Sequence, residues 1–364
     1  MWEKYLDPRL RGFCPYLAYQ ERGEPLSQRM IGQGPDGPLP LPPDLFVDGV
    51  PVLNVSRGAK TAIAQAAIDR GRALARGGSS SGHLADMRQR GIDAALLLPS
   101  YASYLVAMEH KVPGLAAGYA DAYNRWLADL CASDPSRLHG AAIIARYDAD
   151  KMVEQARFAL EQNWPAVVVR PNPIAGRLLG DPTDAPFWNF CAEHGLAVAV
   201  HEATHARCAS TGSDRFTSRF SLHACSHPME QMMAFLSLVE SGTFERLPQL
   251  RVAFLEAGAG WMTHWLWRLD KLEYARLSGE VAKTVKRPPS EYFRRQCTIG
   301  FEPGEPLIQE TLNWLGLDKL MFGSDFPHID HDDDGVADVL KLPISRERLS
   351  AVLWDNATRF LLIE

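Results

Sequence analysis

Leu320-Met321-Phe322-Gly323-Ser324-Asp325-Phe326-Pro327-His328 reads as a buried strand that closes on Gly-Ser and then presents Asp325 and His328. An unbroken apolar run needs cover on both faces, which a parallel sheet under helices supplies. Polar residues placed just after such a run collect where the strand emerges. The segment alone fits an ordinary strand with an Asp cap for the next helix equally well. The same plan recurs upstream, and the recurrence decides the fold.

From residue 83 onward strands and helices alternate. Apolar strands are expected at Ile92–Pro99, Leu138–Arg146, Ala166–Arg170, Leu196–Glu202, Leu250–Glu256, Cys297–Glu302 and Leu320–Ser324. Between and after them lie the helical patterns His83–Arg90, Gly118–Ala132, Asp148–Asn163, Pro186–His194, Pro228–Ser241, Trp261–Leu277, Pro306–Leu315 and Arg346–Phe360. This alternation predicts an α/β chain, a TIM-type (β/α)8 barrel over residues 83–364 with its first strand lacking or replaced. A doubly wound open sheet is the structural alternative, weakened because no Gly-rich phosphate loop follows a strand. Residues 1–82 read as a helical Trp2–Leu6 segment and an irregular excursion rich in Pro and Gly. The excursion carries a short hairpin near Leu45–Val52 and ends in the flexible connector Arg76–Gly82.

Composition excludes several classes of function. The 364 residues carry a net charge of -6, with 46% hydrophobic and 23% charged residues and no run of Lys or Arg. Nucleic acid and anionic membrane are therefore not expected as partners. No apolar stretch approaches the roughly 20 residues that span a bilayer. The six cysteines are scattered without a Cys-x-x-Cys pair, which suggests reduced thiols in a cytoplasmic protein.

The strand ends carry the chemistry: Arg170 with Asn172, His201 with Glu202, Glu256, Glu302, and Asp325 with His328. A barrel brings all of these to one face, where the carboxylates repel one another unless a divalent cation, or a pair, neutralises them. His201, Glu256 and Asp325 are candidate ligands. His227 joins them if a helix begins at Pro228, and Glu256 doubles as a catalytic group with His328. Gly258 and Gly260 permit close backbone approach to a ligand. Arg170 and Asn172 suit a substrate carboxylate or phosphate, and Trp261 suits an apolar pocket wall. His205 and Glu302 are secondary candidates. Asp330–Asp334 around His331 reads as a solvated loop, lacking the spacing of a calcium loop. No Gly-x-Ser-x-Gly elbow is present, and no Ser/His/Asp set assembles by motif.

With these residues in view, the chain resembles the amidohydrolase-related branch of the metal-dependent TIM-barrel superfamily. That group holds aminocarboxymuconate semialdehyde decarboxylase and the resorcylate-type decarboxylases. The likeness runs from Trp2-Glu3-Lys4-Tyr5-Leu6, through His227-Pro228-Met229-Glu230-Gln231 and Leu255-Glu256-Ala257-Gly258-Ala259-Gly260-Trp261, to Phe322–His328. It implies that His201 is the strand-5 metal ligand and Asp325 the strand-8 ligand.

Two departures shape the functional expectation. The family's ligand-bearing first strand, His-x-His or Glu-x-His, is missing ahead of Trp2, so either Met1 is internal or the site forms without it. Glu256 stands where the decarboxylases carry a histidine, and in this it resembles a branch of nonheme diiron monooxygenases that act on coenzyme A-linked substrates. The resemblance thus implies two irons held by His201, His227, Glu256 and Asp325, with O2 as co-substrate. The substrate would be an apolar carboxylic acid or CoA thioester. The alternative is a hydrolase or nonoxidative decarboxylase using one Zn or Mn, and a third reading is an inactive barrel that serves as a binding subunit. Trp- and Met-rich helical faces leave room for a homodimer.

Overall fold

A computed structural model describes residues 1–18, 44–52, 78–108, 112–201, 208–326, 328 and 335–363. Three short strands, β1 (Tyr16–Ala18), β2 (Asp44–Val47) and β3 (Val50–Pro51), form a small antiparallel sheet. Seven further strands follow: β4 (Ala95–Leu97), β5 (Leu138–Ile143), β6 (Ala166–Val169), β7 (Ala197–His201), β8 (Val252–Leu255), β9 (Cys297–Phe301) and β10 (Leu320–Phe322). They build one sheet in the order β10-β9-β8-β7-β6-β5-β4, parallel throughout. Every strand pairs with its sequence neighbour. A doubly wound sheet would reverse direction part-way, so that alternative is set aside in favour of a sheet curled one way, as in a barrel. Among the described residues no strand hydrogen-bonds between the edges β4 and β10, in keeping with the seven strands expected.

The apolar runs dictate this burial. All of β6 and β7 is buried, and both faces are covered by helices and barrel interior. Side chains at strand ends are tied to the covering helices. Asn124 donates from Nδ2 to the carbonyl of Ile143 (3.1 Å) and accepts from its N–H (2.8 Å), fastening the helix Leu115–Cys131 to the end of β5. Gly140, in the same strand, lies against Trp164, and a Cβ there would run into the indole. Gly140→Ala is therefore expected to destabilise the fold by about 1–3 kcal/mol, because a packed core relaxes poorly around added volume. Denaturant unfolding checks this, and a smaller residue at position 164 should recover part of the loss.

The N-terminal segment packs as a second cluster, with Leu6, Leu45, Val47 and Val52 against Leu105, Leu115 and Tyr119. Tyr119 donates its hydroxyl to the carbonyl of Phe13 at 2.6 Å. The helical reading of Trp2 onward and the hairpin near Leu45 both agree with the structure.

Three local expectations change. The helix expected from Pro228 begins at Arg219, capped by Ser218, and carries Pro228 in its interior. Residues 219–227 are mostly polar and lack an apolar repeat, so the start gave no signal, and proline was read at its commonest helical position. The connector expected over Arg76–Gly82 becomes helix at Ser80, because the Ser79 side chain accepts from the Gly82 N–H. A helix at Tyr101–Ala107, all but featureless in its apolar pattern, was not anticipated. All six cysteines are free thiols, as expected. Among the described residues no helix is long and apolar enough to cross a membrane.

Candidate metal centre

Three strand tips converge. β7 ends on His201, whose register partner in β8 is Leu255, so Glu256 emerges one step beyond. His201 Nε2 contacts Glu256 Oε2 directly. Gln231 secures the pair by donating from Nε2 to the carbonyls of Val200 and Leu255, each at 3.0 Å. At the far edge, Asp325 follows β10, and His328 Nδ1 lies 2.6 Å from Asp325 Oδ1. One ligand atom from each of Glu256, Asp325 and His328 falls within 4.8 Å of the others.

The backbone is bent to achieve this. Glu256 has φ 57° and Asp325 φ 50°, both in the left-handed region. There a side chain crowds the following carbonyl at a cost of roughly 1–2 kcal/mol, and such residues persist where the surroundings over-determine them. For Glu256 those surroundings are visible. The Glu305 carboxylate accepts from the N–H groups of Ala259 (2.8 Å), Gly260 (2.9 Å) and Glu302 (2.7 Å), holding the turn that follows. Gly258, at φ 69°, lies so close to that carboxylate that a Cβ would come within 3.1 Å of it.

His227 completes the group from the helix above. Its Nδ1 is 2.7 Å from the carbonyl oxygen of Glu256. A carbonyl only accepts, so Nδ1 carries the hydrogen and Nε2 keeps its lone pair. That Nε2 is buried and has no partner among the described residues. Burial holds the His227 imidazole down to about 4. For Glu256, burial pushes the carboxyl up, but His201, His328 and His227 together outweigh it and bring it to about 2. His223, one turn before His227, stacks on it with ring centroids 4.4 Å apart.

A cavity of about 430 Å³ opens here, lined by His223, His227, Glu256, Glu302, Phe322 and Asp325 among others. Its described walls carry carboxylates and imidazoles but no Lys or Arg. Glu256, Asp325 and His328, whose ligand atoms meet within 4.8 Å, are a donor set that suits a divalent ion, with the imidazoles of His201 and His227 beside Glu256.

The structure thus gathers His201, His227, Glu256, Asp325 and His328. Among the described residues that line the cavity, the expected substrate residues Arg170, Asn172 and Trp261 do not appear. Arg170 is 4% exposed and turns back on Asn172, with Nε and Nη2 at 3.0 and 2.8 Å from Oδ1. Asn172 is fully buried. Trp261 is half-buried and packs edge-on against Phe254, ring centroids 6.4 Å apart. Glu202, His205 and the loop Asp330–Asp334 fall outside the described residues.

Sequence reasoning missed two features. Arg146, just after β5, is buried and donates to the carbonyls of Asn172 and Leu178, each at 2.9 Å, and to Asp184 at 3.2 Å. Arg177 also binds Asp184, at 3.0 Å. This knot shapes the loop after β6. Ser100 was the second omission, its hydroxyl 2.6 Å from His328 Nε2.

Known proteins share this fold. A family model described as amidohydrolase matches residues 51–363. The 2-amino-3-carboxymuconate-6-semialdehyde decarboxylase of Dictyostelium discoideum is 24% identical over 218 residues, 59% of this chain and 58% of that protein. The match therefore spans less than two thirds of that relative's length. An amidohydrolase from Mycobacterium avium subsp. paratuberculosis superposes with TM-score 0.68 at 24% identity, over 79% of this chain and 75% of that one. The 5-carboxyvanillate decarboxylase of Novosphingobium aromaticivorans, solved with manganese and 4-hydroxy-3-methoxy-5-nitrobenzoic acid, gives TM-score 0.65 at 21% identity over 77% and 79% of the two chains. Those two superpositions show the shared TIM-barrel fold.

Proposed function

We propose that this chain, which belongs to the amidohydrolase family, holds one divalent metal at its strand tips and removes carbon dioxide nonoxidatively from a small carboxylic acid. The observation that carries this reading is the convergence of Glu256, Asp325 and His328 within 4.8 Å, beside the His201 and His227 imidazoles. The diiron oxygenase expected from Glu256 finds no support in the relatives described above, and the one-metal alternative fits them better.

His201, Glu256 and Asp325 would hold the ion, with the His227 Nε2 lone pair available as a fourth donor. When bound, a divalent ion such as manganese supplies positive charge that neutralises the carboxylates and receives an anionic substrate group. The chain's own residues do the rest. A cavity with no Lys or Arg on its described walls leaves a substrate carboxylate without an organic cation to bind, so the strand-tip site selects it. Breaking the bond to the carboxyl carbon leaves an electron pair on the substrate carbon, and a proton must replace the lost group there. His328 carries a hydrogen at Nδ1, shared with Asp325, and is the residue placed to manage that proton. The balance is one carboxylate and one proton in, one C–H bond and one CO2 out, with no external oxidant. A coenzyme A thioester has no corresponding support, since no basic residue on the described walls meets its phosphates.

Metal removal tests the reading. Purified protein is expected to carry about one divalent ion per chain and to release CO2 from a hydroxybenzoic acid panel. A chelator should abolish that release, and manganese should restore it. Two irons with substrate-dependent O2 uptake would return the oxygenase reading. Hydrolysis of amides or lactones without CO2 would move the chain to the hydrolases of its family.

A further inference from the structure

The turn that carries Glu256 is held on both sides by other elements. Ahead of it, Gln231 Nε2 donates to the Leu255 carbonyl at 3.0 Å, and His227 Nδ1 donates to the carbonyl of Glu256 itself at 2.7 Å. Both side chains come from the helix Arg219–Glu240. Beyond it, the N–H groups of Ala259 and Gly260 stand at the start of the helix Gly260–Arg268, whose N-cap is Ala259. Ala257-Gly258-Ala259-Gly260 has no polar side chain, so the segment cannot cap this helix with its own residues. An acceptor has to come from elsewhere.

Glu305, in the loop after β9, is that acceptor. Its Oε2 takes the N–H groups of Ala259 at 2.8 Å and Gly260 at 2.9 Å. Its Oε1 takes the Glu302 N–H at 2.7 Å and lies 3.0 Å from the Ala259 nitrogen. The Glu305 N–H in turn donates to the Glu302 carbonyl at 3.1 Å, closing its own loop. One carboxylate therefore ties the loop after β8 to the loop after β9, and Glu256, Gly258, Glu302 and Pro303 from these two loops line the cavity. With two N–H groups on each oxygen, Glu305 acts as a clamp rather than as a metal ligand.

We propose that Glu305 is a positioning residue that sets metal affinity by holding Glu256 in its left-handed conformation, and not through its own charge. A non-glycine residue at φ 57° relaxes unless its surroundings forbid it. With the clamp cut, the Ala259 and Gly260 N–H groups turn to water, Glu256 returns to negative φ, and its carboxylate swings away from Asp325 and His328. The backbone claim stands by itself; the consequence for affinity rests on the metal reading above.

The test uses the full chain. Crystal structures of the metal-free native protein and of Glu305→Ala read the backbone directly, with Glu256 expected at positive φ in the first and negative φ in the second. Manganese binding, followed by the paramagnetic resonance of the unbound ion, should weaken about 10–100-fold in Glu305→Ala. Glu305→Gln, which keeps the shape and one acceptor oxygen, should fall between the two. Glu305→Ser, too short to reach the amides, takes the place of the alanine variant if that variant does not fold. In the Glu256→Ala background, Glu305→Ala should change affinity by less than about twofold, because the group it positions is gone; an action through charge would persist there undiminished. Gly140→Ala, which weakens the fold away from the centre, should leave affinity within about twofold of native. Positive φ at Glu256 in the folded alanine or serine variant overturns the proposal. So does native affinity in that variant, an undiminished effect in the Glu256→Ala background, or an equal loss in Gly140→Ala. If the native protein binds no manganese, the metal reading fails, and the backbone of Glu256 alone decides the role of Glu305.

Discussion

Glu256→Ala is expected to cost manganese affinity more than about a hundredfold and to reduce CO2 release to background. Loss of a residue that merely orients a ligand typically costs about 10–100-fold, and Glu256 does more. Its carboxylate contacts His201, its carbonyl oxygen holds His227, and its ligand atom groups with those of Asp325 and His328. The alanine removes the carboxylate and leaves the carbonyl, so His227 should keep its Nδ1 partner while the metal is lost. Glu256→Gln separates charge from shape: it fills the same space without the anion and is expected to bind manganese nearly as poorly as alanine. Isothermal titration with manganese reads the effect without a substrate. Native affinity in either variant would remove Glu256 from the centre.

Arg146→Ala is expected to be the most destabilising single change outside the site, by about 3–5 kcal/mol. The guanidinium and its partner Asp184 have side-chain exposures of 1% and 0%. Removing it strands the carbonyls of Asn172 and Leu178 and leaves Asp184 to Arg177 alone. Arg146→Lys should rescue little, since a compact ammonium lacks the planar fork that reaches several acceptors at once. For a chain of this length the loss corresponds to a fall in Tm of about 5 °C, read alongside the denaturant midpoint. If both variants melt like the native chain, the knot contributes nothing to stability.

The barrel was legible because its signals are local. A run such as Ala166-Val167-Val168-Val169 announces a strand buried on both faces wherever it occurs, and residues at the ends of parallel strands must share one face. His201, Glu256 and Asp325 were placed at the strand tips that way. His227 was found although its helix starts nine residues earlier than Pro228 suggested, because the residue still lies above the strand tips. Other features depend on where a side chain turns, which residue type does not announce. Arg170 stands at a strand tip but curls onto its neighbour Asn172. Ser100 looks like a helix cap and serves a partner from the other edge of the sheet. The choice between two irons and one divalent ion likewise depends on ligand positions, to which Glu256 as a letter in the sequence gives no access.

The left-handed backbone at Glu256 and Asp325 has an evolutionary consequence. Any library screened for heat resistance alone would favour glycine or asparagine at these two positions, since both accept that conformation more easily. Such a lineage would grow sturdier while its ligands disappeared. An acid at both turns therefore stands where stability alone would favour an easier residue.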